Sequence, residues 1–319
     1  MRLANGLWSF KALTAAVDVE LFTLLDTHPA MTSAATAGAL GLTERGADAL
    51  LAACTAMGLL TKEGSRYRNG TAAARHLVSG RPDYFGNWIR HVDRNSQSFD
   101  HIGQSLRADN PPSWQPEGTR AEPPSFWTAL AELAAPTAQA LLDAYNFAGH
   151  RRLLSVGDGS GAFTITLCRG NPHLTATVVE LPALAGIAAD RIHAESDLAV
   201  TAQHGDFFHC LPPGHDVILL PTTLHDWDED HDRQLLATCF AALASGGVLL
   251  ACDLFLDDDK AGPLSAALMG MNMTVNTDHG RNHSAAEVRR WLADVGFAAP
   301  QLIPLDVAGA NGVLAAAKP

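Results

Sequence analysis

Cysteine is scarce, with five residues in 319, and no two of them stand at a metal-binding or redox spacing. Cys54, Cys168, Cys210, Cys239 and Cys252 lie scattered, mostly inside apolar runs. They read as reduced core thiols. Basic residues are also in deficit, 22 Lys and Arg against 34 Asp and Glu, for a formal net charge of −12. That balance argues against nucleic acid and against anionic membrane as partners. No apolar run has transmembrane length, and the N-terminus lacks the shape of a signal peptide, so a cytoplasmic protein is expected. Internal repeats are absent. The chain does have 47% hydrophobic residues, and at this length it can form a large core and two domains.

The stretch around which the chain is organised is Leu153-Leu154-Ser155-Val156-Gly157-Asp158-Gly159-Ser160-Gly161. An apolar strand breaks into three alternating glycines and then runs into a helical segment. Glycines let the backbone approach a ligand, and a first helical turn offers free N–H donors. A plain tight turn between strand and helix is the alternative. Glu180, nineteen residues after Gly161, ends a second apolar strand. A carboxylate there is placed to accept two ribose hydroxyls. The dinucleotide fingerprint wants its third glycine one place later, and a pyrophosphate has little use for Asp158 in its cradle. A sulfonium, an amino group and a ribose suit the loop better, so S-adenosylmethionine is the expected cofactor. Asp206 and Phe207, in Gly205-Asp206-Phe207-Phe208, would sit at its adenine. The expected cofactor-binding set is Gly157, Asp158, Gly159, Gly161, Glu180, Asp206 and Phe207.

Upstream, Thr32 and Thr43 look like helix caps, and Glu63-Gly64-Ser65 separates two short strand-like runs. Helix, helix and hairpin make a winged-helix arrangement. DNA binding is the obvious reading, but the helix that would enter a groove carries Glu44, Arg45 and Asp48 and no basic stripe. Trp8, Phe10 and Phe22 suit either an interface or the core. Arg107 to Pro124 contains five prolines and reads as a linker or a lid. The expected organisation is 1–106, 107–124 and 125–319.

The chain resembles the S-adenosylmethionine-dependent O-methyltransferases of secondary metabolism, of the caffeate and hydroxyindole type. The resemblance rests on the glycine loop, Glu180, Gly205-Asp206-Phe207, Leu224-His225-Asp226-Trp227, the Leu243–Leu250 run and Ala286-Glu287-Val288 with Gly296-Phe297. It implies an α/β fold: a Rossmann-like class I methyltransferase sheet with helices on both faces and an antiparallel edge. A mostly helical, winged-helix-like domain precedes it and makes a homodimer. It also implies a small-molecule substrate.

A phenol with a pKa of about 10 needs a base at neutral pH, and an imidazole near about 6.5 suits that task. The resemblance makes His225 that base, oriented by two acids. Asp253 matches one of them. The other falls in Gly280-Arg281-Asn282-His283-Ser284, where Asn282 replaces a glutamate. An amide can hydrogen-bond an imidazole but cannot stabilise imidazolium by charge. A second reading follows from the same loop. His225, Asp226 and His279 supply two imidazoles and a carboxylate, the ligand set of an open facial metal site. One divalent zinc, iron or nickel ion there would favour the enolate of an α-keto acid, and carbon would take the methyl. Met269, Asn272, Met273, Asn276 and Trp227 are substrate-pocket candidates. A relative that keeps the cofactor but has lost transfer is the third reading, which the intact loop and His225 disfavour.

Overall fold

Threonine caps start the N-terminal helices as their spacing predicts. The Thr32 hydroxyl accepts from Ala35 N at 3.3 Å and that of Thr43 from Gly46 N at 3.1 Å, which satisfies otherwise orphan donors. The computed structural model describes residues 1, 3–107, 124–182 and 185–319. These divide into two units, Met1–Gln97 and Ser98–Pro319. The linker expected at 107–124 lies, apart from its two ends, outside the described residues.

The first unit runs α1 (Gly6–Asp18), α2 (Leu21–Thr27), β1 (Met31–Thr32), α3 (Ser33–Leu40), α4 (Glu44–Ala56), β2 (Leu60–Glu63), β3 (Arg66–Asn69), α5 (Thr71–His76) and α6 (Gly86–Asn95). The strands form an antiparallel sheet in the order β1-β3-β2, with Glu63 paired to Arg66 across the two-residue turn Gly64-Ser65. In α4 the residues Ala47, Leu51 and Cys54 recur at helical spacing and are fully buried. Leu51 and Cys54 share a core with Val17, Leu21, Phe22 and Tyr67. Phe22 is thus core, whereas Trp8 is 73% exposed beside exposed Leu3 and Leu7.

The second unit runs α7 (Ile102–Ser105), α8 (Pro124–Ala144), β4 (Arg152–Val156), α9 (Ala162–Gly170), β5 (Thr175–Glu180), α10 (Ala185–Ala194), β6 (Val200–His204), β7 (His215–Pro221), α11 (Glu229–Ala242), β8 (Leu243–Asp253), α12 (Leu264–Asn276), α13 (Ala285–Val295), β9 (Ala298–Val307) and β10 (Ala310–Ala317). The seven strands form one sheet in the order β6-β5-β4-β7-β8-β10-β9. The first five are parallel, and β10 runs antiparallel between β8 and β9. Both sheet faces are covered, so β4 and β7 read as continuous apolar runs. Their residues divide by parity. Leu154, Val156, Ile218 and Leu220 join a core with Trp291, and Leu153, Val217 and Leu219 join one with Leu141 and Phe163.

This order positions the site. The chain passes from β4 outward to β5 and β6, then returns to lay β7 on the other side of β4. The carboxyl ends of β4 and β7 therefore border a crevice where loops leave in opposite directions, the usual ligand position in such sheets. No helix among the described residues is long and apolar enough to cross a membrane.

Candidate active site

The glycine loop leaves β4 into this crevice. Gly157 has φ +74°, and a Cβ there would come within 2.7 Å of Thr223 Cγ2 on the neighbouring β7 loop. Thr223 is itself fixed, donating from Oγ1 to Val156 O at 2.9 Å. Only glycine meets both the left-handed backbone and the close approach. Gly161, also left-handed, is the N-cap of α9.

Asp158 does something different from what its place in the motif suggests. It is 5% exposed, and its carboxylate accepts from Phe163 N at 3.2 Å, Thr164 N at 2.9 Å and Thr164 Oγ1 at 2.5 Å. Its charge therefore serves the N-terminus of α9 and holds the loop on the helix, instead of presenting a bare carboxylate to a ligand. Burial pushes its pKa up to about 6, opposed by the hydrogen bonds from Thr164 and Phe163.

Glu180, at the end of β5, is 2% exposed and accepts from Gly159 N through Oε1. Burial raises its pKa to about 7, the Gly159 hydrogen bond opposes, and the like charges of Asp158 and Asp226 add to the rise. A buried carboxylate in that setting calls for neutral donors or a cation. A ribose diol beside a sulfonium supplies both, and a pyrophosphate would add repulsion. The residues present thus fit S-adenosylmethionine. Phe207 is buried against Phe208 and, edge-on, Trp227, with ring centroids 4.9 and 6.2 Å away. Asp206 is half-exposed; it accepts from Phe208 N at 3.0 Å and contacts His209 Nδ1 at 2.7 Å. It shapes the turn that carries Phe207.

Across the crevice, the turn Leu224–Asp226 follows β7 and presents His225, 8% exposed. Nδ1–H donates to Asp253 Oδ1 at 2.6 Å, at the end of β8, and Asp253 also accepts from Leu254 N at 2.7 Å. That leaves Nε2 for proton transfer, with Asp226 Oδ1 at 3.7 Å. Burial alone would depress the imidazole, but the carboxylates of Asp253, Asp226 and Asp232 outweigh it and hold the pKa up at about 9. Asp253 lies below its ordinary range. Burial opposes that, and His225 together with its hydrogen bond overcomes it.

Asn282 does not join this pair. It is 6% exposed, its Nδ2 donates to Leu254 O at 2.6 Å, and its Oδ1 has no hydrogen-bond partner. It braces the backbone just after Asp253 instead of orienting the imidazole. The metal set gains no support from the arrangement of these side chains. Among the described residues no group of three or more His, Cys, Asp or Glu side chains is placed to hold a metal ion. His279 is exposed and stacks on His231, with centroids 5.9 Å apart and planes at 15°. The reason lies next door. A Cβ on Gly280 would meet His225 O at 2.7 Å, so a glycine backbone, not the imidazole of His279, packs against the His225 turn. Met269, Asn272, Met273 and Asn276 do lie on α12, which packs on this turn. Trp227 stacks edge-on with Phe208 at 4.6 Å.

His283 was not singled out as a core residue, yet it is 3% exposed and contacts Asp232, which is wholly buried on α11, at 2.8 Å. Helical phase carried a signal, since Asp232 shares its face with Leu235, Leu236 and Cys239.

The Glu180 carboxylate must be ionised to accept two hydroxyls. S-adenosylhomocysteine affinity is therefore expected to fall as pH drops below about 7, by up to about tenfold per unit. The homocysteine sulfur is neutral, which removes the charge of His225 from the comparison. Calorimetry between pH 6 and 8 checks this, and a flat profile would refute it.

Two segments match known domains, the O-methyltransferase domain over residues 113–298 and the O-methyltransferase dimerisation domain over residues 1–79. The chain is 43% identical over 325 residues to 3-hydroxy-5-methyl-1-naphthoate 3-O-methyltransferase of Streptomyces sahachiroi, covering 99% of this chain and 94% of that one. It is 31% identical over 306 residues to the tetracenomycin polyketide synthesis 8-O-methyl transferase of Streptomyces glaucescens, covering 93% and 90%. Its fold is similar to the crystal structure of human N-acetylserotonin methyltransferase in complex with S-adenosylmethionine, with a TM-score of 0.85, 25% identity, and 99% and 95% of the two chains covered. With a glycine loop and buried Glu180 facing a histidine on one sheet crevice, the chain belongs to the S-adenosylmethionine-dependent O-methyltransferase family of secondary metabolism.

Proposed function

We propose that the protein methylates a phenolic hydroxyl of a small fused-ring aromatic acid, with His225 as general base. The observation that carries the reading is the buried His225–Asp253 pair, which commits Nδ1 to a carboxylate and leaves Nε2 beside the cofactor crevice. The relative that acts on a hydroxynaphthoate supports the substrate class. Residues 1–106 are assigned to dimerisation and 125–319 to cofactor binding and catalysis. The match to the dimerisation domain supports a homodimer.

When bound, S-adenosylmethionine supplies a methyl group on a sulfonium, whose carbon–sulfur bond breaks to leave a neutral thioether. The protein has three tasks: to hold the acceptor in line, to take its proton and to exclude water. His225 Nε2 accepts the phenol proton as the oxygen pair forms the new bond to carbon, and later gives it to solvent. Asp253 keeps the ring in the right tautomer and stabilises the imidazolium that results. In the ligand-free site three carboxylates favour that imidazolium in advance. Beside a bound cation His225 holds its proton less tightly, which shifts it toward the base form.

Incubation with S-adenosylmethionine and a panel of hydroxynaphthoic acids, simple phenols and α-keto acids tests the reading. The expected product is the methyl ether of a hydroxynaphthoate, located by NMR. A methyl group on carbon or nitrogen, or transfer to keto acids alone, would overturn it.

A further inference from the structure

Behind His225 lies a second buried histidine–aspartate contact that the mechanism above does not use. Asp232 of α11 is wholly buried and meets His283 Nε2 at 2.8 Å, although not at the angles of a hydrogen bond. The His283 ring stands edge-on to Trp291, centroids 4.8 Å apart. Backbone pairing brings this segment to Asp253. Asn282 Nδ2 donates to the carbonyl of Leu254, the residue after Asp253, and Leu256 N donates to His283 O at 2.9 Å. Leu256 and Ser284 complete a parallel bridge.

Two carboxylates, two imidazoles and one amide thus occupy neighbouring positions in the core. Asp253 Oδ2, Asn282 Oδ1, both Asp232 oxygens and both His283 ring nitrogens have no hydrogen-bond partner. Buried polar atoms left so are rare and costly, and a buried carboxylate persists where it faces opposite charge. Asp232 has His283 in contact; the like charge of Asp253 opposes its ionised form and the charge of His225 favours it. From its own side, His225 faces Asp253 of β8, Asp226 of its turn and Asp232 of α11. The amide of Asn282 contributes no charge to this group, and it is turned to a backbone carbonyl.

We propose that Asp232, held in place by His283, is a positioning residue that supplies from α11 the second negative charge which Asn282 cannot give to His225. Asp253 sets the orientation of the imidazole. Asp232 adds to its proton affinity without touching it, and His283 keeps the Asp232 carboxylate from standing alone in the core. The proposal rests on His225 being the base.

The test is the pH dependence of kcat/KM for the phenol at saturating S-adenosylmethionine, in wild type, Asp232→Asn and Asp232→Asn/Asn282→Glu. Activity rises as His225 loses its proton. With the Asp232 charge gone the proton is held less tightly, so the acid limb moves to lower pH, by about 0.5–1 unit. Glutamate at 282 returns the limb toward the wild-type position. A structural role alone lowers the melting temperature and leaves the limb where it was. A folded Asp232→Asn protein whose limb superimposes on that of the wild type overturns the proposal. Should that variant not fold, NMR titration of ring-labelled wild type decides. The His225 resonance is expected to show a second inflection as the Asp232 carboxyl titrates, and a single inflection overturns the proposal. Failure of the base reading looks different, because the acid limb then persists unchanged in His225→Gln.

Discussion

Replacing His225 by glutamine is expected to lower methyl transfer by about 10²- to 10⁴-fold, the range for loss of a positioned general base. S-adenosylhomocysteine affinity should change little, since the residues proposed to hold the cofactor lie at or just after the ends of β4, β5 and β6, across the crevice from the turn that carries His225. Glutamine can still hydrogen-bond Asp253, so the buried carboxylate is not left without a partner. What it cannot do is accept the phenol proton. The residual rate should therefore follow ionisation of the substrate, rising with pH toward the phenol pKa of about 10. In the wild type the rate should level off once His225 is neutral. Parallel pH profiles for the two proteins would show that His225 orients the substrate without acting as base.

Loss of the Glu180 carboxylate should be the most damaging change for cofactor binding. In Glu180→Ala the ribose loses its charged acceptor, and Gly159 N–H loses the partner that fixes the glycine loop on β5. Hydrogen bonds to charged groups are worth about 1.5–3 kcal/mol each, and losing two corresponds to affinity weaker by roughly 10²- to 10³-fold or more. The ligand-free protein should lose less, because the carboxylate it gives up is buried among the like charges of Asp158 and Asp226. Calorimetry with S-adenosylhomocysteine, beside a melting curve of the free protein, separates the two effects. An affinity within a few-fold of wild type in a folded variant would show that Glu180 serves the loop and not the ligand.

Both expectations depend on the order of the strands. With β7 laid against β4, Thr223 is brought to Gly157 and the His225 turn to the glycine loop. Residues 68 apart in the chain, Gly157 and His225, therefore border one crevice.

Much of this was legible along the chain because it depends on local rules. The caps at Thr32 and Thr43, the Gly64-Ser65 turn, the glycine turn after β4 and the apolar runs of β4 and β7 each follow from a few neighbouring residues. The pairing of His225 with Asp253 came from the family resemblance, and the structure brings these two together across adjacent parallel strands. Side-chain direction was not legible in the same way. Asp158 sits in the ligand motif and turns inward to α9; Asn282 stands where an acid was expected and turns to Leu254 O. In each case the motif specifies a position, and a nearby unpaired backbone group takes the side chain.

The two loop histidines show where sequence stops. His279 and His283 lie four residues apart in a polar stretch, with nothing local to tell them apart. The structure exposes His279 beside His231 and buries His283 against Asp232. That outcome depends on Gly280 packing against the His225 turn and on the α11 face formed by Asp232, Leu235, Leu236 and Cys239. The sequence by itself determined the strands, the glycine loop and the helix starts, because periodicity, glycine and caps act over a few residues. Only the tertiary structure decided which polar side chains share the core around that histidine, because burial of a charge depends on what long-range packing places opposite it.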